Sequence, residues 1–155
     1  MTRSTFSGNL GGLAGADTKC RLAAEAAELG GTWKAFLSDG TVSAPSRMEV
    51  EGAWYQGTTG SGLVKLFNNR ANLRTDPLIA FGYDETGAHW GNGSRFPLWT
   101  GTRSGGAPGF TCKGFTSAEY LQYGVAGQTD STVSSWVDGE QRRCSYEAHL
   151  LCFEQ

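Results

Sequence analysis

Residues 15–31 read GADTKCRLAAEAAELGG and carry the clearest secondary-structure signal in the chain. Alanine, leucine and glutamate favour a helix, and the two closing glycines favour its termination, so we predict a helix from Gly15 to Leu29. Small apolar residues recur along it at i, i+4 and i+7, which indicates a buried face that packs closely against a sheet. The predicted face consists of Ala16, Cys20, Ala23, Ala24 and Ala27.

The segments that follow this helix carry patterns typical of strands. Thr32–Ser38 begins almost at once and stops at Asp39-Gly40, which is a turn signal. Leu78–Tyr83 is a second predicted strand, with shorter apolar runs at 48–55 and 64–67. Ser145–Phe153 alternates between apolar and polar residues, which predicts a strand with one buried face. That face would hold Tyr146, Ala148, Leu150 and Cys152.

Composition predicts one domain over residues 1–155, with enough length for a substantial core. Apolar residues make up 39% of the chain and charged residues 18%, and the 23 glycines indicate many turns between short elements. The formal net charge of -2 argues against a nucleic-acid partner. Because no apolar run approaches the ~20 residues of a membrane-spanning helix, membrane insertion is not expected.

The four cysteines form an even set without a C-x-x-C pair, and the chain has only two histidines. Disulfides therefore fit better than a zinc finger, and three pairings are possible. Disulfides imply an oxidising compartment, so an extracellular or cell-surface location is expected. The opening stretch MTRSTFSGN has no apolar signal-peptide core, and we expect an export signal to lie outside this sequence.

Several longer segments resemble one family in fixed order. They are GNLGGLAGADTKC (8–20), LGGTWKAFLSD (29–39), LWTGTRSGG (98–106), GQTDSTVSSW (127–136) and CSYEAHLLCFE (144–154). Together they resemble the endostatin domain of collagens XV and XVIII and related bacterial extracellular domains. The resemblance implies an α+β, C-type-lectin-like fold: a mixed, mainly antiparallel sheet, a flanking helix and a long loop region. It also implies two nested disulfides, Cys20–Cys152 and Cys112–Cys144.

The metal sites of these families are not expected to carry over. The acid, proline and amide triplets that bind calcium in lectins are absent, and Asp76-Pro77, the nearest approach, is predicted to start a strand instead. Endostatin's zinc site uses histidines near the N-terminus, whereas Met1–Ser7 contains none. His149 is predicted to be a structural or surface strand residue. We therefore expect no metal and no cofactor.

Candidate ligand contacts lie in the glycine-rich loops. Trp90, Tyr120 and Tyr123 have rings on which a sugar could stack, although some of them could equally be core residues like the other four tryptophans. Asn92 is a candidate hydrogen-bonding partner, but Asn92-Gly93-Ser94 also reads as a turn or a glycosylation triplet. The arginines form either a basic patch of the kind that binds sulfated glycans in endostatin-type domains or solvated loop positions. They are Arg95, Arg103, Arg142 and Arg143.

Signals for catalysis are weak. Asp84-Glu85 offers adjacent carboxylates without a partner, and a dyad of Cys144 with His149 would need a free thiolate. The sequence therefore predicts a non-enzymatic extracellular recognition module whose loops between Thr86 and Arg143 contact a glycan or a cell-surface protein. The alternative is a structural knob at the end of a fibrous or trimeric surface protein, which would be a homotrimer. A hydrolase is the least supported hypothesis.

Overall fold

The computed structural model describes residues 1–57, 62–90 and 94–155. Its fold is mixed α+β, as predicted, with short elements separated by long irregular connections. The helices are α1 (Gly12–Ala26), α2 (Ala44–Arg47) and α3 (Cys112–Phe115). The strands are β1 (Trp33–Ala35), β2 (Trp54–Gln56), β3 (Val64–Phe67), β4 (Pro97–Trp99), β5 (Tyr123–Gln128), β6 (Glu140–Arg143), β7 (His149–Leu150) and β8 (Cys152–Glu154). Turns of 3-10 helix span Arg70–Arg74, Ser104–Gly106 and Ser134–Trp136.

Helix α1 confirms the predicted first helix, but it begins and ends three residues earlier than predicted. Its end is set by Glu28, which adopts a left-handed φ of 57° ahead of the glycines that were expected to stop it. The amide of Leu29 then donates to the carbonyl of Ala24, the long bond of a Schellman motif. Three members of the predicted face are buried and two are half-buried: Ala16, Cys20 and Ala24, then Ala23 and Ala27.

The largest sheet has the strand order β6-β5-β4-β7. Its β6–β5 and β5–β4 pairs are antiparallel and its β4–β7 pair is parallel, so the sheet is mixed and mainly antiparallel, as predicted. Two antiparallel pairs accompany it, β1 with β8 and β2 with β3. Of the predicted strand Thr32–Ser38, only Trp33–Ala35 forms a strand, because these are the residues that pair with β8.

The predicted strand Leu78–Tyr83 is wrong, as is the prediction that Asp76-Pro77 starts one. The segment is irregular because its amides donate to three separate partners instead of one neighbouring strand. These bonds are Leu78 N to Leu66 O, Phe81 N to Thr129 O and Gly82 N to the Gln56 side chain. Its apolar residues therefore anchor a loop, with Phe81 buried and Leu78 exposed.

The predicted single strand Ser145–Phe153 is two short strands, β7 and β8, which pair with different partners. Leu150 belongs to the β4–β7 ladder and Cys152 to the β1–β8 ladder, with Leu151 between them. All residues from 148 to 151 are buried, so the prediction of one buried face is wrong. Tyr146, predicted on that face, lies in the preceding bend and is 49% exposed.

Both implied disulfides, Cys20–Cys152 and Cys112–Cys144, are present. One buried cluster surrounds them and includes Leu37, Trp99, Phe115 and Leu150. A second cluster is mainly aromatic and includes Phe36, Trp54, Phe67, Trp136 and Phe153. The predicted core positions of Trp54, Trp99 and Trp136 are confirmed, whereas Trp33 is only half-buried.

Candidate functional site

Five residues at the β5–β6 end of the large sheet form a surface of aromatic rings and guanidinium groups, here named the tyrosine–arginine surface. They are Tyr120, Tyr123, Arg142, Arg143 and Tyr146. Four of these were predicted as ligand contacts from the sequence, and the structure brings the four together. None of them is deeply buried, and Tyr120 and Tyr146 are 53% and 49% exposed.

Arg143 is the centre of this surface because strand pairing places it beside both preceding tyrosines. Tyr123 and Arg143 are partners in the β5–β6 ladder, so their side chains leave the sheet on the same face. The guanidinium carbon lies 3.9 Å from the ring centroid of Tyr120 and 5.1 Å from that of Tyr123. Nη1 of Arg143 also donates to the carbonyl oxygen of Tyr120 at 3.0 Å. Backbone and ring of Tyr120 are thus held by one side chain through a hydrogen bond and a cation–π contact.

Tyr146 is the member that the sequence did not predict. Its backbone amide donates to the carbonyl of Arg143, which closes the turn after β6. The turn places its ring 6.4 Å from that of Tyr120 at an interplanar angle of 70°, and Arg142 lies over it at 5.6 Å. The sequence carries no clear turn signal at this point, but in the structure a turn at Cys144-Ser145 interrupts the alternation that assigned Tyr146 to the core.

The arginines of this surface have acceptors of their own. Arg142 donates from Nη1 to Glu140 at 2.9 Å and from Nε to the carbonyl of Glu147 at 3.0 Å. Nearby, Lys113 and Glu119 form an ion pair at 3.0 Å. The local charge is therefore mixed, and the surface is not the basic patch that the sequence suggested as one possibility.

The other two predicted arginines belong to separate ion pairs. Arg95 lies 3.2 Å from Asp130, and Arg103 lies 3.2 Å from Asp138 with its guanidinium over the ring of Phe110 at 5.5 Å. Asn92, another predicted contact, lies outside the described residues, and so does the turn predicted for Asn92-Gly93.

Trp90 is half-buried and takes part in structural contacts. Its indole nitrogen donates to Oδ2 of Asp84 at 2.8 Å, and its ring meets Phe96 and His149 edge-on with centroids 4.8 Å and 5.1 Å away. His149 itself is buried, and its Nδ1 donates to the carbonyl of Thr2 at 2.8 Å. Burial lowers the pKa of His149, which favours the neutral ring. Of the two roles predicted for it, structural or surface strand residue, the buried strand position is the structural one.

Asp84 is enclosed by donors and offers no free oxygen for general acid–base chemistry. Burial disfavours its charged form, but hydrogen bonds from Thr86, Trp90 and Ala88 outweigh it and hold the pKa of this carboxyl below its ordinary value. Three of these bonds converge on Oδ1 at 2.7–3.0 Å. The Cys144 thiolate that a dyad with His149 would need is absent, since Cys144 is bonded to Cys112.

A separate cleft of about 610 Å³ lies between the C-terminal half of α1, β2 and the β1–β8 pair. Its walls are mainly apolar, with side chains such as Ala24, Trp54 and Phe81. It contains none of the predicted ligand contacts. Within the described residues, no cluster of three or more histidine, cysteine, aspartate or glutamate side chains could hold a metal ion, and no helix is long and apolar enough to cross a membrane.

Fold and site together define a disulfide-linked α+β protein with an exposed aromatic–arginine surface at one sheet end. In comparison with known proteins, the model of a family described as a protein of unknown function (DUF1554) matches residues 3–62. The matched segment holds α1, β1, α2 and β2 but none of the tyrosine–arginine surface. No curated protein matches the chain.

Proposed function

We propose that this chain is a non-enzymatic recognition domain of endostatin-like, C-type-lectin-like fold, which works outside the cytoplasm and binds a glycan through its tyrosine–arginine surface. The observation that carries the proposal is the contact of Arg143 with Tyr120, 3.9 Å from guanidinium carbon to ring centroid, beneath a ring that is half exposed. The sheet, the helix and the two nested crosslinks support the proposed fold.

A tyrosine held in this way is suited to binding. Fixing a mobile side chain on association costs about 0.5–1.5 kcal/mol, and Tyr120 has been partly fixed in advance by its neighbours. Sugar rings present C–H groups on one face, which pack on aromatic rings, and hydroxyls at the rim, which need hydrogen-bonding partners. The tyrosine hydroxyls of this surface and the neighbouring carboxylates of Glu119 and Glu140 supply such partners.

The two disulfides support a location in an oxidising compartment, where such bonds form and persist. They also keep the sheet end in place, because Cys144 directly follows β6 and is tied to Cys112 just before the loop that carries Tyr120. A rigid scaffold that displays side chains from loops is the usual architecture of a binding module.

Glycan-array binding of the wild-type chain and of two single variants tests the proposal. We expect Tyr120→Ala and Tyr146→Ala each to weaken binding about tenfold, the factor that corresponds to ~1.4 kcal/mol. Both side chains are about half exposed, so the melting temperature should change little.

Tyr55→Ala is the matched control. Tyr55 is 49% exposed and also lies under a cation, with Lys65 Nζ 5.8 Å from its ring, but it belongs to β2. The control should bind glycans like the wild type. Wild-type affinity in both surface variants, or binding of proteins without binding of any glycan, contradicts the proposal.

A further inference from the structure

The charged groups around the tyrosine–arginine surface balance one another. Three are basic and three are acidic: Lys113, Arg142, Arg143, Glu119, Glu140 and Glu147. The whole chain carries a formal net charge of -2. Such a balanced set of charges favours a polyanion less than a basic patch would.

Its cations are also engaged with the protein itself. Arg142 bonds Glu140 and the Glu147 carbonyl, Lys113 pairs with Glu119, and Arg143 stacks on two rings while it donates to the Tyr120 carbonyl. In these positions the guanidinium groups lie over the tyrosine rings. A sulfate or carboxylate could use only the N–H donors that these contacts leave over, and it would come close to three carboxylates.

The exposed groups are instead suited to a polyhydroxylated, uncharged molecule. Tyr120 and Tyr146 meet at 70°, so their exposed surfaces form a corner, and Leu121, the residue after Tyr120, is 77% exposed. The side chains of Glu119 and Glu140 are 62% and 43% exposed, and each carboxylate can accept hydrogen bonds from hydroxyl groups.

We infer that the ligand of this surface is an uncharged glycan, one of whose hexopyranose rings packs in the corner of Tyr120 and Tyr146 while its hydroxyls donate to Glu119 and Glu140. This inference rests on the proposed glycan-binding function and specifies its ligand class. In the sulfated-glycan alternative, the arginines would bind the charged groups of the ligand. In this inference they position the tyrosine rings and do not recognise a charge on the ligand.

The test compares neutral gluco-, manno- and galacto-oligosaccharides with O-sulfated derivatives of the same backbones, by calorimetry at 50 and 500 mM NaCl. We expect at least one neutral series to bind, with less than a twofold change in affinity between the two salt concentrations. Its sulfated derivative should bind at least tenfold more weakly. Binding of a polyanion to a basic patch would instead fall steeply with salt.

Two carboxylate variants distinguish the ligand classes. If the ligand is a sulfated glycan, Glu119→Gln and Glu140→Gln would strengthen binding, because they remove the repulsion between a carboxylate and the anion. If the ligand is a neutral glycan, each substitution replaces a strong hydrogen-bond acceptor with a weaker one and should weaken binding about two- to fivefold. Glu49→Gln, on the exposed chain after α2, is a control that should have no effect.

The two proposals fail in different ways. If sulfated oligosaccharides bind more tightly, lose affinity in salt and still depend on Tyr120, the glycan-binding function stands and the inference of an uncharged ligand is overturned. If neither series binds, or if binding does not depend on Tyr120 or Tyr146, the proposed function fails and the inference fails with it.

Discussion

Removing the two disulfides one at a time should destabilise the protein by unequal amounts. Cys20–Cys152 joins residues 132 apart in sequence, whereas Cys112–Cys144 joins residues 32 apart. In the chain-entropy model, closing loops of these lengths in the unfolded state is worth about 5 and about 4 kcal/mol. Because the closure entropy grows as 3/2 RT times the logarithm of loop length, the expected difference is about 1.3 kcal/mol.

Two other effects on the free energy of unfolding must be controlled. One is the nesting of one disulfide loop inside the other, and the second is the packing of the sulfur atoms. Cys112→Ala/Cys144→Ala leaves the long crosslink alone, and Cys20→Ala/Cys152→Ala leaves the short one alone. In each variant the free energy of unfolding is measured in urea at 25 °C, before and after a reductant is added. Reduction changes the crosslink but leaves both sulfur atoms in place, so the packing term largely cancels.

Fluorescence of the buried Trp99 and Trp136 is a suitable signal for this unfolding. We expect reduction to cost the variant with the long crosslink about 1.3 kcal/mol more than the variant with the short one. A variant with all four cysteines replaced by alanine should not respond to the reductant. An equal cost for the two crosslinks, or a larger cost for the short one, would refute the loop-length argument.

Two further predictions concern stability. Glu28→Gly should raise the free energy of unfolding by about 0.5–1 kcal/mol, since glycine relieves the left-handed strain at φ 57° at some cost in chain entropy, whereas Glu28→Ala should bring no gain in the same urea experiment. Burial lowers the pKa of His149, so the unfolded chain takes up this proton first as pH falls. Stability should then decrease below about pH 6.5 by up to ~1.4 kcal/mol per pH unit until the folded-state pKa is reached. His149→Gln should reduce this slope, and an unchanged slope in that variant would contradict the assignment.

The first helix could be predicted from a local signature, whereas the mixed sheet and the pairing of the disulfides were implied by the family resemblance. The periodic spacing of alanines predicts α1. The pairing of the four cysteines follows from their positions in the segments that carry the family resemblance. Leu78–Tyr83 could not be assigned from the sequence, since an apolar run has the same composition whether it pairs with one strand or anchors a loop at several points. The predicted end of α1 was misplaced for a related reason. Gly30 and Gly31 were expected to end the helix, but Glu28 adopts a left-handed φ before the chain reaches them.

For the candidate site, residue types could be predicted but their grouping could not. Aromatic and arginine residues in glycine-rich loops could be singled out as candidates, yet nothing in the sequence separates Trp90, which packs on Asp84 and His149, from Tyr120, whose ring is exposed. The separation depends on long-range pairing. Tyr123 lies beside Arg143 only because β5 and β6 are neighbours, and Tyr146 joins them only because a turn interrupts the alternation after β6.

The connection that precedes the site indicates how its position is maintained. All four residues of α3 have positive φ, and three of them, Cys112, Lys113 and Phe115, are not glycine. Each such residue costs roughly 1–2 kcal/mol, so this left-handed turn persists only where the surrounding structure compensates for it.

Several contacts supply that compensation. Phe115 is fully buried and its carbonyl accepts from the amide of Leu10, while Cys112 is bonded to Cys144. Gly8 and Gly124 enclose this disulfide so closely that a Cβ on either would lie within 3.0 Å of the Cys112 sulfur. The chain therefore leaves the turn toward Tyr120 in one direction, and the same disulfide fixes the end of β6. Because both sides of the tyrosine–arginine surface start from this one crosslink, the rings of Tyr120 and Tyr146 can be held at a constant angle even though both lie outside regular structure.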